Sequence, residues 1–329
     1  MRKYFFIIIS ILFLLTDCNR EPKYHIKSKL KGTITISGAF ALYPITVLWA
    51  DEFRKIYPEA EIDISAGGAG KGMTDVLNGM VDLGMVSRSI NLAEIEKGAW
   101  SISVVKDAVI PTISDENPFL DTLKKKGITR DQLKAIFIEG SIKDWFDLTG
   151  LQKCSIDVFT RSDACGAGEM WGRYLGKNQE SLIGVGVFGD PGMADAVRSK
   201  PRAIGYNNII YAYDISTRKF YKGICVLPID INNNGKIDNT ENFYENLDSL
   251  DLAIRDGRYP SPPARELYFV SKGKPKNRIV KEFLKWILTD GQKFIQKAGY
   301  VELSEKKRKV ELSKVRFTLR STLHIGKNN

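Results

Sequence analysis

Short runs that read as strands are followed repeatedly by glycine-rich turns and then by helical spacing, and this alternation constrains the chain more than any other feature. Thr33–Ser37 alternates β-branched residues and turns at Gly38. After Pro44, Ile45–Tyr57 shows helical spacing through Leu48, Phe53 and Ile56 and stops at Pro58. Ile62–Ser65 is expected to form a second strand, Ala66–Gly72 is glycine-rich, Met73–Asn78 opens a second helix, and Asp82–Val86 is a third strand. Strands alternating with helices imply βαβ units and a parallel sheet with right-handed crossovers. Ligands of such sheets bind at the carboxyl ends of the strands, where these turns fall.

The alternation breaks at the strand-like run Val109–Ser114, which passes into a polar stretch, and a similar strand, Glu266–Val270, returns much later. Between them lies a second α/β set: a helix near Thr129–Ile138, a strand at Ile156–Thr160 and a helix near Gly168–Leu175. Helical periodicity resumes in Arg278–Leu288 and Asp290–Lys297. The expected architecture is a two-lobed α/β fold with a hinge of two crossing strands and a cleft between the lobes. Residues 32–109 and 266–301 would form lobe 1, and residues 110–265 lobe 2.

Charge is concentrated at the ends. The chain carries a formal +10, of which residues 1–31 hold +5 and residues 302–329 another +5, leaving a neutral body. Basic flanks on a neutral body argue against a nucleic-acid face. His25 and His324 are the only histidines, which excludes a Ser-His-Asp or Cys-His catalytic site and a His-rich zinc site from the body. Arg2 and Lys3 precede an apolar run, Tyr4–Leu15, that is shorter than the ~20 residues a membrane helix needs. This pattern suits a signal peptide. Cys18, just past the run, is placed as a lipoprotein cysteine that would anchor the chain to a membrane, although Asp17 stands where a small residue is usual. The alternative is a plain signal anchor with an incidental cysteine. Lysine-rich residues 19–31 read as a tether, and residues 302–329 as a basic C-terminal tail. Cys154, Cys165 and Cys225 remain, an odd number without metal-ligand spacing.

Three strand-to-helix turns are candidate ligand sites: Ser37–Pro44, Ala66–Gly72 and Arg161–Gly168. At each, free backbone N–H groups and a positive helix end point at one spot, which makes an anion site largely of main chain. Arginine adds a bidentate partner for an oxyanion. One such turn is usually only a tight connection; three in two lobes converge on a shared role.

In these turns, in Asp82–Arg88, in Arg161-Ser162-Asp163 with Gly166, and in Tyr259–Val270, the chain from about Lys31 to Val301 resembles the phosphate-binding proteins of bacterial ABC transporters, within the type II periplasmic-binding fold. The resemblance implies a receptor that closes on inorganic phosphate or a related oxyanion and delivers it to an ABC permease. It is expected to be monomeric, to work in the periplasm or at the cell surface, to need no cofactor and to catalyse nothing. The ligand-binding positions it implies are Ala39, Phe40, Ala41, Ala69, Gly70, Ser87, Arg88, Arg161, Asp163, Cys165, Gly166 and Ala167. Hydroxyls usual in the family are replaced at Phe40, Ala41, Ala69, Cys165 and Ala167, so binding by fewer donors, or a different ligand or a sensor role, follows. Asp163 has two readings: acceptor for the proton of monohydrogen phosphate, which sulfate lacks, or ion-pair partner of Arg161 on the same strand face. An enzyme using Cys165 at a helix start, with a lowered thiol pKa, is the rival from another class.

Residues 230–241 match the calcium-loop pattern D-x-[DN]-x-[DN]-G-x5-E. Asp230, Asn232, Asn234, Asp238 and Glu241 would give side-chain oxygens, and Lys236 its carbonyl, to Ca2+ as a structural clip. The preceding Val226–Ile229 is strand-like, where an EF-hand would have a helix.

Overall fold

The computed structural model describes residues 30–315. The apolar run, Cys18 and most of the tether lie outside the described residues, as do both histidines. Among the described residues no helix is long and apolar enough to cross a membrane.

β1 (Gly32–Gly38) pairs in parallel with β2 (Ala60–Ala66) on one side and β3 (Leu83–Val86) on the other. The crossovers are helices α1 (Tyr43–Ile56) and α2 (Ala69–Leu77). The glycine run is thus half helix: α2 begins at Ala69, ahead of the apolar residues that mark it in the sequence. β4 (Ala99–Ser114) is a single strand of 16 residues, about 50 Å of extended chain. Its first part, Ala99–Ala108, pairs antiparallel with β9 (Ala264–Lys272), which pairs with β3. Its second part, Val109–Ser114, pairs with β7 (Ala203–Asn208) and β8 (Ile224–Val226). β5 (Asp157–Arg161) lies between β7 and β6 (Val185–Val187), so the order is β2-β1-β3-β9-β4-β7-β5-β6. In the first half of β4 the alternation Trp100-Ser101-Ile102-Ser103-Val104 is broken by the bulge between Ser103 and Val105, and the strand runs on through Lys106 and Asp107.

Helix α3 (Gly166–Tyr174) follows β5, α4 (Gly189–Arg198) follows β6, and α5 (Leu247–Asp256) precedes β9. Two apolar cores form. One gathers Phe53, Phe269, Phe283 and Trp286 under α1 and α6 (Arg278–Ile287). The other gathers Phe137, Trp171 and Tyr206, with the last two stacked at 5.6 Å. The first core draws on residues before Ala108 and after Ala264 and on Ile210, the second on the rest of the chain between them and on Val301.

Within the basic C-terminal segment, α7 (Glu305–Val315) packs against the first core through Leu312 and Val315. The buried Glu311 carboxylate accepts the Ser103 N–H of β4 at 3.2 Å and pairs with Lys307 and Lys314. Much of the positive charge read there as a tail therefore belongs to a docked helix with its own acidic anchor.

Candidate anion site

The three turns meet. Gly70 N–H at the start of α2 donates to Ala164 O at 3.1 Å, and Tyr211 Oη donates to Phe40 O at 3.3 Å, both between the residues expected in separate lobes. The seam is too tight for side chains: a Cβ on Gly166 would lie 2.2 Å from Ser87 Oγ and 2.3 Å from Ser87 O. Gly38, at φ 133°, allows β1 to pass Met85 O, which a Cβ would approach to 2.3 Å.

Arg161 ends β5 with its side chain 1% exposed. Its Nε and Nη2 donate to the two oxygens of Asp163 at 2.8 and 2.7 Å. Nη1 stands 3.0 Å from Asp190 Oδ2 at the start of α4. The guanidinium carbon lies 5.9 Å from the centre of the Phe40 ring, which meets Phe188 edge-on. Asp163 Oδ1 also accepts Gly189 N–H at 3.1 Å, and Gln179 fixes the turn by donating to Asp163 O and accepting Cys165 N–H. Burial pushes the Asp163 carboxyl up, but Arg161 and the Gly189 N–H outweigh it and hold the group below the ordinary carboxylate range.

The structure supplies donors unevenly at the expected positions. Ala39 N–H is taken by Met85 O and Gly70 N–H by Ala164 O. The N–H groups of Phe40, Ala41, Ala69, Gly166 and Ala167 find no protein acceptor among the described residues, as the first turn of a helix leaves them. Ser87 is buried against Gly166. Arg88 turns to Glu94, bidentate at 2.9 and 2.7 Å, and lines a cleft together with Gly70, Ala164 and Cys165 of the turns and with Glu169 and Arg173. Lys71 pairs with Asp75, which also accepts from Ser37 Oγ.

Cys165 caps α3, its Sγ accepting Gly168 N–H at 3.2 Å. A lowered thiol pKa there is corrected by the structure: burial pushes the thiol up to about 12, against the pull of Arg161. A buried, protonated thiol is no nucleophile at neutral pH.

Asp190, Asn208, Arg265 and Asp107, which motif reading does not single out as site residues, complete the surroundings. Asn208 Nδ2 donates to Asp190 Oδ1 at 2.6 Å, and Arg265 on β9 donates to Asn208 Oδ1 and, at 3.0 Å, to Ser87 O. Arg265 Nη2 stands 3.3 Å from Asp107 Oδ2 on β4. The signal for Asp190 was its place in Gly189-Asp190-Pro191-Gly192, a further glycine turn opening a helix.

In the loop 230–241, Asp230 accepts Asn234 and Gly235 N–H groups, and Glu241 accepts those of Ile231, Asn232 and Asp238. Asn232 and Asn234 amides both donate to Asp238. Among the described residues no three His, Cys, Asp or Glu side chains are grouped to hold a metal ion, so calcium there would depend on the asparagine oxygens and the Lys236 carbonyl.

Residues 25–291 match the PBP superfamily domain. The phosphate-binding protein PstS of Methanocaldococcus jannaschii is 27% identical over 94% of this chain and 92% of its own length. The Pseudomonas aeruginosa protein of that name is 27% identical over 87% of each. The Bacillus subtilis one is 30% identical over 57% of this chain, and the match spans only 61% of that protein. Among solved structures, a putative phosphate ABC transporter substrate-binding protein with bound phosphate from Clostridium perfringens aligns at TM-score 0.67 and 22% identity, over 83% of this chain and all of that one. An ABC-type phosphate transport receptor from Vibrio cholerae aligns at 0.60 and 19%, over 82% of this chain and all of that one.

Proposed function

Because this chain belongs to the PBP superfamily, a family of substrate-binding proteins rather than enzymes, we propose that it captures inorganic phosphate between its lobes and hands it to an ABC permease. The observation that carries this reading is Arg161, held bidentate by Asp163 at the seam where helix N-termini with unclaimed N–H groups meet. The names of the phosphate-binding relatives support the choice of ligand. Closure buries the anion against Arg161 and the N–H groups of Phe40, Ala41, Ala69, Gly166 and Ala167, and no bond is made or broken. Lobe 1 comprises residues 32–109 and 266–301, lobe 2 residues 110–265. The protein works outside the cytoplasm as a monomer anchored through a lipid on Cys18.

Capture here runs on fewer donors than hydroxyl-rich turns would give, and each missing hydrogen bond to a charged ligand is worth ~1.5–3 kcal/mol. Asp163 serves both readings: it braces Arg161, and its oxygens accept the proton that monohydrogen phosphate offers and sulfate does not. Calorimetric titration of ligand-free protein with phosphate and with sulfate tests this. Phosphate heat that is absent with sulfate and lost in Arg161→Ala is the expected result; no heat with phosphate rejects the ligand.

We also propose that loop 230–241 takes Ca2+ as a structural clip through Asp230, Asn232, Asn234, Lys236, Asp238 and Glu241. What supports it is that Asp230 and Glu241 are buried carboxylates with no salt-bridge partner among the described residues, and a buried charge is costly until a counter-ion faces it.

A further inference from the structure

Arg161 is one member of a buried charge cluster that reaches the hinge. From the seam inward run Asp163, Arg161, Asp190, Asn208, Arg265 and Asp107, each in contact with the next. Two guanidinium groups face three carboxylates, so the cluster holds one negative charge in excess before any ligand arrives. Arg161 has its donors turned to Asp163 and its remaining nitrogen 3.0 Å from Asp190. An anion drawn to Arg161 therefore competes with Asp190 for the same guanidinium and repels it across a water-poor seam.

We propose that Asp190 takes up a proton as an anion is captured at Arg161, which makes capture proton-linked and Asp190 the residue that sets how affinity falls with pH. The proposal rests on the phosphate reading of the same site. Protonated Asp190 no longer sets a charge against Arg161 Nη1, a buried nitrogen without a hydrogen-bond partner among the described residues, and keeps the Asn208 amide as donor to its other oxygen. The surroundings favour this carboxylate over Asp163. Asp163 is held down by two hydrogen bonds from Arg161 and one from Gly189, whereas burial already lifts Asp190 above the ordinary range, with Arg161 and Arg265 pulling the other way. The other groups facing Asp190 add to the lift or stay neutral: Asp163 and Asp107 are negative, and Cys165, Tyr211 and Tyr300 are held protonated by burial. A pKa that rises on binding means proton uptake, with affinity full below the free-state value and declining as pH rises through the bound-state one.

The test titrates the whole protein with inorganic phosphate at about pH 8.5, well above ordinary carboxylate pKa values. Calorimetry in two buffers of different ionisation heat counts protons, and infrared difference spectra show whether a protonated carboxyl appears on binding. The unaltered protein is expected to take up more protons than Asp190→Asn and to show a carboxyl C=O band that the variant lacks and that Asp107→Asn keeps. Asp190→Asn should bind phosphate about tenfold or more tightly at this pH, as loss of a like charge at contact distance predicts. Binding with equal proton uptake, or with a band that survives in Asp190→Asn, overturns the proposal and leaves the phosphate reading standing. Should Asp190→Asn fail to fold, the absence of the band in the unaltered protein decides against it alone. No heat from phosphate in the unaltered protein overturns both.

Discussion

Cys165 sits where a helix N-cap and an anion donor coincide. Its sulfur already accepts Gly168 N–H, and serine is a stronger cap than any sulfur group. Cys165→Ser is expected to add a hydroxyl that can donate to the anion, tightening phosphate binding by ~1.5–3 kcal/mol if the bond is fully made. Calorimetry on the variant checks this, and an unchanged affinity would mean that the hydroxyl keeps to the helix N–H. Phe40 makes the opposite trade at the first turn: its ring covers Arg161 and meets Phe188, so dry surface stands where the family resemblance implies a hydroxyl. Dry surface strengthens the electrostatics left at the site.

At the scale of elements, loop 230–241 carries the clearest expectation. If Ca2+ bridges its oxygens, the melting temperature rises with added Ca2+ and falls back with a chelator, because a ligand of the native state stabilises it by mass action. Asp230→Ala abolishes the response; a melting temperature indifferent to Ca2+ in the unaltered protein rejects the clip. This loop also shows what was legible in the sequence. Its twelve positions can be read from spacing alone, as can the strand–turn–helix units around Gly38, Gly67 and Gly166, since local turn chemistry fixes them. The first half of β4 was missed although Trp100–Val104 alternates, because the bulge after Ser103 and the charged pair Lys106-Asp107 interrupt the pattern before Val109. The Asp190–Asn208–Arg265–Asp107 chain escaped for a different reason. Its members come from α4, β7, β9 and β4 and meet only through tertiary packing, so no spacing announces them. Arg88 shows the converse, a motif residue beside a glycine turn that the fold turns to its own Glu94.

For the whole molecule, the proposed function requires closure, and Gly166 tests it. A Cβ there would lie 2.2 Å from Ser87 Oγ and 2.3 Å from Ser87 O across the seam, an approach that opening of the proposed lobes would relieve. Gly166→Ala is expected to leave both cores intact while holding the lobes apart. X-ray scattering should then give the variant a larger radius of gyration in saturating phosphate than the unaltered protein, with a melting transition little changed. Equal radii would show that the seam yields without opening.

The long strand β4 and its partner β9 are hydrogen-bonded to each other along Ala99–Ala108 and Ala264–Lys272, a ladder that lies on the first-lobe side and ends where the two strands part, β4 going on to pair with β7 and β8. In the proposed receptor the two strands leave the first lobe at that end, so bending there, rather than sliding of the ladder, would separate the lobes. On that proposal an occupied and an empty receptor would differ chiefly in the angle between the lobes, and a membrane partner would sense cargo by the spacing of two faces without touching the ligand.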